Sequence, residues 1–164
     1  AGGLGGSMLL LNAAALTVIR VSYFQLWGPD ADPNGTINTI SGPISGSGTI
    51  MATTHATGVL NLNAANPFGG SYRATLGTLK IGDPLALQNG TLDMNAADAG
   101  SVNLNNLNAT IGALTGTRNL SLGSGTVSIG NNHLNTAYSG VLSGTMAPST
   151  RAPRQRWPRL VCTL

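Results

Sequence analysis

The sequence predicts an all-β protein built as a parallel β-helix, or β-solenoid, and three features support this. A short segment returns at long range: residues 41–46 read Ser-Gly-Pro-Ile-Ser-Gly, and residues 139–144 read Ser-Gly-Val-Leu-Ser-Gly. A smaller unit, Gly-Thr followed by apolar-x-apolar, begins at Gly77, Gly90 and Gly125. Aromatic residues are few, at 4% of the chain. Chains that repeat a short strand and a turn stack these units into extended rods.

Composition argues against a helical protein. Only 8% of the 164 residues are charged, against roughly a quarter in an ordinary globular protein. Glutamate is absent and Lys80 is the only lysine. Helix surfaces are usually covered by Glu, Lys, Gln and Arg, because these side chains lose little freedom in a helix. The small hydroxyl and amide residues found here instead suit strands and turns.

The apolar pattern predicts a series of strand cores in the region 29–146. In most of them two apolar residues flank one polar residue, so one face is buried and the other is solvated. The predicted cores are 37–40, 59–62, 79–81, 92–94, 102–104, 120–122 and 127–129, and 111–114 shows a looser version of the pattern. A hairpin sandwich would accept such spacing too. The scarcity of aromatic residues favours the narrow, aliphatic interior of a β-helix with coils of about 20 residues.

Two flanks, 1–28 and 147–164, differ from the repeat region. Residues 8–19 are apolar over fewer positions than the roughly 20 of a membrane span. They are interpreted as a strand or helix that caps the first coil, or as a signal peptide, although no basic segment precedes them. The C-terminal flank is basic and rich in proline, which cannot continue a β-ladder. It is predicted to be unstructured, with an electrostatic tail for acidic lipid or polysaccharide as the alternative.

The basic pI of about 9.6 describes the C-terminal flank and not the body. Residues 1–150 contain five aspartates against three arginines and one lysine, a net charge of −1. Nucleic-acid binding needs clustered Lys and Arg with interleaved aromatic residues, so no nucleic-acid partner is predicted. Cys162 is the only cysteine and excludes an intrachain disulfide. A body without cysteine is compatible with export through an oxidising compartment.

Segments 110–116, 120–132 and 138–145 resemble the autotransporter-associated beta strand repeat, found in passenger regions of bacterial autotransporters and other repetitive surface proteins. The stretch 60–70, which ends Asn-Pro-Phe-Gly-Gly, followed by 76–82, resembles one unit of that repeat. The resemblance covers roughly residues 36–145 and implies a right-handed parallel β-helix. It also implies an extracellular or cell-surface stalk or adhesin that acts as a monomer. Its partners would be glycans or surface proteins.

That resemblance further implies a longer parent protein. An autotransporter needs a C-terminal membrane β-barrel, whereas this sequence ends Val-Cys-Thr-Leu. The chain is therefore interpreted as a fragment attached to the outer membrane through a missing parent region, and no membrane insertion by this segment is expected.

Residues suited to catalysis or metal binding are few. His55 and His133 read as exposed turn residues without a metal-ligand partner at short spacing. The glycines at 42, 46, 48, 123 and 125 read as β-turns and not as phosphate loops. Carbohydrate cleavage is the main enzymatic alternative, with Asp83 and Asp93 as the carboxylate pair and Arg73 beside them. The favoured interpretation is that both aspartates are solvated turn or strand-edge residues.

The asparagines beside the strands are expected to be structural, with stacked amides that satisfy turn backbones from coil to coil. They are Asn61, Asn63, Asn95, Asn103, Asn105, Asn106 and Asn108. We therefore predict a non-enzymatic structural segment with no catalytic, cofactor-binding or metal-binding residues. A carbohydrate-active β-helix enzyme and a fragment without independent function remain the alternatives.

Overall fold

The computed structural model describes residues 16–27, 37–53, 56–145 and 160–162, which form thirteen β-strands and no helix. In chain order the strands are β1 Leu16–Trp27, β2 Ile37–Ile40, β3 Ile44–Thr53, β4 Val59–Leu62, β5 Ser71–Leu76, β6 Thr78–Ile81, β7 Leu87–Met94, β8 Ser101–Asn103, β9 Ala109–Gly116, β10 Leu120–Gly123, β11 Val127–Ile129, β12 Leu142–Gly144 and β13 Leu160–Cys162. Within these residues no helix has the length and apolarity needed to cross a membrane.

The chain alternates between two faces of a stack. The odd-numbered strands form one seven-stranded sheet in the order β1-β3-β5-β7-β9-β11-β13. The even-numbered strands form a four-stranded sheet, β2-β4-β6-β8, and a two-stranded sheet, β10-β12. Every pairing is parallel except that of β13, which runs antiparallel to β11. The result is a β-solenoid of about five turns, which confirms the predicted fold class.

The length of a coil follows from the strand register. On the odd face Ile50 pairs with Tyr72, Tyr72 with Leu92, and Leu92 with Leu114. Each step advances the chain by roughly 20 residues, as expected for a coil of this kind, and so confirms the predicted coil length. Each predicted strand core lies in or overlaps a strand.

Sequence reasoning missed several strands. It did not identify β3, β5 and β12, and it did not expect β13 within the C-terminal flank. In the first flank, interpreted as a cap or a signal peptide, β1 is a strand that pairs with β3, as expected of a strand that caps the first coil.

Two sequence interpretations are corrected by the register. The repeated segments 41–46 and 139–144 do not occupy equivalent positions, because the first runs into β3 on the odd face and the second into β12 on the even face. Gly46 and Gly48, interpreted as β-turn residues, lie inside β3 with φ angles of 100° and 119°. The register of β3 against β1 shifts there. At each shift three residues of β1 oppose two of β3, so the extra residues lie on β1, and glycine gives β3 its positive φ angles without steric cost.

The interior consists mainly of aliphatic side chains stacked in register. Buried residues line up from coil to coil, for example Ile40, Leu62 and Ile81 on the even face. Each buried leucine or isoleucine contributes about 1.5–3 kcal/mol to folding. Phe68 and Tyr72 are the aromatic exceptions, packed edge to face with ring centroids 5.0 Å apart.

One buried asparagine links three successive coils inside this apolar interior. The backbone N–H of Ile44 donates to Oδ1 of Asn66 over 2.8 Å, and Nδ2 of Asn66 donates to the carbonyl of Ala86 over 2.9 Å. The Tyr72 hydroxyl donates to the same Ala86 carbonyl over 3.3 Å. Because a buried polar group is costly without a partner, these bonds let a polar side chain serve as a tie between coils.

On each face, glycine directly precedes a set of residues that pair from coil to coil, so the glycines themselves lie above one another in a column. The odd-face glycine column is Gly48, Gly70, Gly90 and Gly112, and the even-face glycine column is Gly58, Gly77 and Gly100. A Cβ atom on Gly112 would lie 2.5 Å from the Gly90 carbonyl oxygen and 2.6 Å from the Asn89 carbonyl carbon. A Cβ atom on Gly70 would lie 2.2 Å from the Gly48 oxygen. The coils therefore approach at these positions more closely than any side chain permits.

Alanine at position 112 is expected to destabilise the fold by about 1–3 kcal/mol, because its methyl group must push the backbone of β9 away from that of β7. Urea unfolding of Gly112→Ala measures this loss. Gly69→Ala is the matched control, since a Cβ atom there meets nothing within 4 Å, and we expect a change within about 0.5 kcal/mol. Equal stability of the two variants would contradict the close approach.

The stability of the protein is expected to fall in alkali because of Tyr72. Burial raises the pKa of Tyr72 above its ordinary value of 10.0, and a hydrogen bond with Asn66 opposes this only in part. The unfolded chain releases the Tyr72 proton above pH 10 while the folded chain keeps it. The contribution is therefore complete below pH 10 and is lost above it, by up to about 1.4 kcal/mol per pH unit.

Tyr72→Phe isolates this effect. Between pH 9 and 11 (about one unit on each side of the ordinary tyrosine pKa) the natural protein should lose roughly 1 kcal/mol more unfolding free energy than the variant. Urea unfolding at several pH values supplies both curves. Parallel curves would show that Tyr72 does not ionise differently in the folded and unfolded states.

Candidate functional site

The strongest cluster of charged side chains joins two coils on the outer surface of the odd face. Arg73 of β5 binds Asp98, in the loop after β7, through two hydrogen bonds: Nη2 to Oδ1 over 2.6 Å and Nε to Oδ2 over 3.1 Å. Asp93 of β7 lies farther away, with Oδ2 at 3.8 Å from Arg73 Nε. The cluster therefore has one tight, two-point contact and one loose one.

Burial separates the roles of the two carboxylates. The Asp98 side chain is only 3% exposed, whereas those of Arg73 and Asp93 are 25% and 23% exposed. The hydrogen bond to Asp98 raises the pKa of Arg73, and the charges of Asp98 and Asp93 add to this despite partial burial. A paired guanidinium and carboxylate in two-point contact are oriented rigidly. This geometry is that of a cross-link between coils, with Asp98 out of reach of a substrate.

The two aspartates of the enzymatic alternative, Asp83 and Asp93, lie in different surroundings. Oδ1 of Asp83 accepts a hydrogen bond from the backbone N–H of Leu85 over 2.7 Å, in the turn before β7. Asp93 lies beside Arg73 instead. The structure thus brings together Arg73 and Asp93, as sequence reasoning allowed, and adds Asp98, which it missed. Asp98 follows Arg73 along the chain by one coil and one further turn. This spacing between two opposite charges is the signal in the sequence that could have revealed the contact.

Of the two histidines, His133 lies in the part of the chain that the structure describes. His133 is exposed and has a φ angle of 58°, in the turn region where it was predicted. His55 lies outside the described residues. Among the described residues no three His, Cys, Asp or Glu side chains are grouped to hold a metal ion.

Four of the seven asparagines predicted to be structural bind backbone groups, within turns or between coils, whereas Oδ1 of Asn61 is buried without a hydrogen-bond partner among the described residues. Asn95 and Asn103 close local turns by accepting from Ala97 N and Asn105 N over 3.0 and 2.8 Å. Asn106 and Asn108 accept from Ser124 N and Thr126 N of the next coil over 3.0 and 2.9 Å. The bonds run mainly from amide to backbone and not along a ladder of amides.

The even face contains a break between β8 and β10. These neighbouring strands belong to different sheets and share no ladder. The buried pairs Leu60 and Leu62 in β4 and Leu120 and Leu122 in β10 match in pattern. This match places Arg118 where the even-face glycine column has Gly58. Nη2 of Arg118 donates to the carbonyl oxygen of Gly100, at the end of that column. Arg118 thus lies at this position of the column in the coil where the even ladder is interrupted.

A polar groove of about 360 Å³ lies at this break. Its lining is hydroxyl, amide and aliphatic: Thr78, Ser101, Val102, Asn103, Leu104, Asn105, Asn106, Ser121 and Gly123. Asn105 and Asn106 adopt the left-handed backbone conformation, with φ angles of 54° and 56°. No lining residue carries a formal charge. We call this site the β8–β10 groove.

In comparisons with known proteins, the chain matches no protein-family model, no curated protein and no solved structure.

Loss of the Asp98 carboxylate is expected to cost more than loss of the Asp93 carboxylate. Asp98→Asn weakens a two-point, charge-assisted contact at a buried position, at a cost of about 2 kcal/mol. Asp93→Asn removes the same charge from a partly exposed, longer contact, at a cost below about 1 kcal/mol. Urea unfolding of both variants makes the comparison at equal net charge. A larger loss for Asp93→Asn would overturn the assignment of Asp98 as the structural partner.

Proposed function

We propose that this chain is a non-enzymatic stalk segment of a bacterial secreted or surface-displayed protein. One observation carries the proposal: successive coils are tied to each other by parallel ladders along both faces, except at the β8–β10 break. Such a stack sets the distance between whatever lies at its two ends. To act as a stalk, the segment only has to keep this distance fixed.

Ties between side chains and neighbouring coils reinforce that spacing. Asn66 links three coils through the interior, and Asn119 accepts from the backbone N–H of Val141 in the next coil over 2.9 Å. The contact of Arg73 with Asp98 adds a link on the outside. Strands within a sheet lie about 4.8 Å apart, so the five steps from β2 to β12 span roughly 24 Å.

The proposed location rests on composition and on the repeat resemblance. A weakly charged surface rich in hydroxyl and amide groups suits a segment that must not attract every charged molecule near it. The single cysteine lies in the C-terminal flank, so the body contains no thiol that an oxidising compartment would trap.

The enzymatic alternative receives less support from the charged cluster. A glycosidase needs two carboxyl groups that both reach the substrate, about 5–10 Å apart. Beside Arg73, Asp98 is buried and engaged at both oxygens, so the cluster offers only Asp93 as an accessible carboxylate. Asp83, the other member of the pair considered from the sequence, lies in the turn before β7, where its Oδ1 accepts from Leu85 N.

Rigidity is tested by a distance between the ends of the even face. Spin labels are placed on Thr39→Cys in β2 and Ser143→Cys in β12, in a Cys162→Ser background. They should give one narrow distribution centred at roughly 24 Å plus the label length, as the strand spacing dictates. The distribution should stay narrow in urea until the chain unfolds cooperatively. A broad distribution in native buffer would contradict the stalk.

Two further measurements test the rest of the proposal. Antibodies against the purified chain should label intact cells of the organism that encodes it, and labelling only after permeabilisation would contradict surface display. Incubation with a panel of polysaccharides should release no reducing ends. Release by the natural chain, lost in Asp93→Asn, would establish the enzymatic alternative instead.

A further inference from the structure

We propose that the β8–β10 groove binds a neutral oligosaccharide segment through amide donors that the fold holds in place. This inference deepens the proposed function, on which it rests for the kind of surface that the ligand would come from. Its physical basis is separate, because it depends on the break in the even face and not on the rigidity of the stack.

The amide donors of the groove have fixed orientations. Oδ1 of Asn103 accepts from Asn105 N over 2.8 Å, and Oδ1 of Asn106 accepts from Ser124 N over 3.0 Å. Each bond fixes one end of an amide, while its Nδ2 makes no hydrogen bond to another described residue. Donors that are already oriented cost little conformational entropy when a ligand binds. Their natural partners are hydroxyl and ether oxygens.

The remaining walls of the groove suit the same ligand. Ser121 and Asn105 add exposed hydroxyl and amide groups, and Val102 supplies a half-buried aliphatic surface for the C–H groups of a sugar ring. A volume of about 360 Å³ is at the small end of ligand sites, which span about 300–1,000 Å³. The groove therefore fits a short segment of a glycan.

Charge favours a neutral glycan over an acidic one. The lining residues are uncharged, and Nη2 of Arg118 beside the groove is engaged with Gly100. Arg118 keeps its positive charge in this contact and Lys80 is the register partner of Asn103, but neither residue belongs to the lining. Binding should therefore depend little on salt, whereas an acidic ligand held by Lys80 would be released as salt rises.

The test is an NMR titration of the full-length, ¹⁵N-labelled chain. The probes are cellotriose, maltotriose, mannotriose and chitotriose, each added to about 10 mM, with a heparin oligosaccharide as the acidic comparison. At least one neutral probe should shift backbone amides in 101–106 and 121–124 without a comparable effect elsewhere. No shift with any neutral probe, or larger shifts with heparin, would overturn the proposal.

Two matched variants locate the site. Asn103→Asp keeps the oxygen that holds its turn but replaces the Nδ2 donor with a charged acceptor, and it should weaken binding by roughly tenfold. Asn95→Asp makes the same change in an equivalent turn outside the groove, and its affinity should equal that of the natural chain. Equal losses in both variants would show that the groove donors are not involved.

The spin-label distance separates this inference from the stalk proposal. A narrow distance distribution without amide shifts refutes the groove and leaves the stalk intact. Amide shifts with a broad distribution refute the stalk alone.

Discussion

Everything in this fold depends on how closely one backbone can lie above the next. In the glycine columns a Cβ atom would overlap the adjacent coil, for instance at 2.5 Å from Gly90 O if Gly112 carried one. Because glycine recurs there at intervals of one coil, parallel ladders form on both faces and the aliphatic side chains stack beneath them. Where Arg118 takes the glycine position, the even ladder stops and the β8–β10 groove lies in its place.

Sequence reasoning succeeded where the side-chain pattern is local. Alternating apolar residues identified cores such as 59–62 and 127–129, and their spacing gave the coil length. It missed β5, where Tyr72, Arg73 and Ala74 show the same apolar-polar-apolar alternation but one inward position is alanine, which is depleted in strands. The Gly-Thr unit was a poor guide to strand position, because it occurs on both faces, in β6 and in β7. The odd-face column has glycine without a following threonine before Ser71 and Ala113.

The Arg73–Asp98 contact and the β8–β10 groove were less predictable than the fold. Their contacts depend on how far the number of residues in each coil departs from the average. The register step from Ala109 to Val127, for example, is shorter than the step from Thr78 to Ser101. Asp98 reaches Arg73 only through the turn that follows β7. The groove lies at a break in the even face whose position could be seen only after the glycine column had been recognised. Asparagine, in contrast, was predictable as a turn residue from its type alone.

The antiparallel pairing of β13 with β11 interrupts the run of parallel strands on the odd face. A parallel stack of coils is an open polymer in which each coil presents the same template to the next one. A strand that runs the opposite way satisfies the hydrogen bonds of that template without reproducing it. In the described residues β13 therefore occupies the edge of β11 on which a strand of a further parallel coil would otherwise pair.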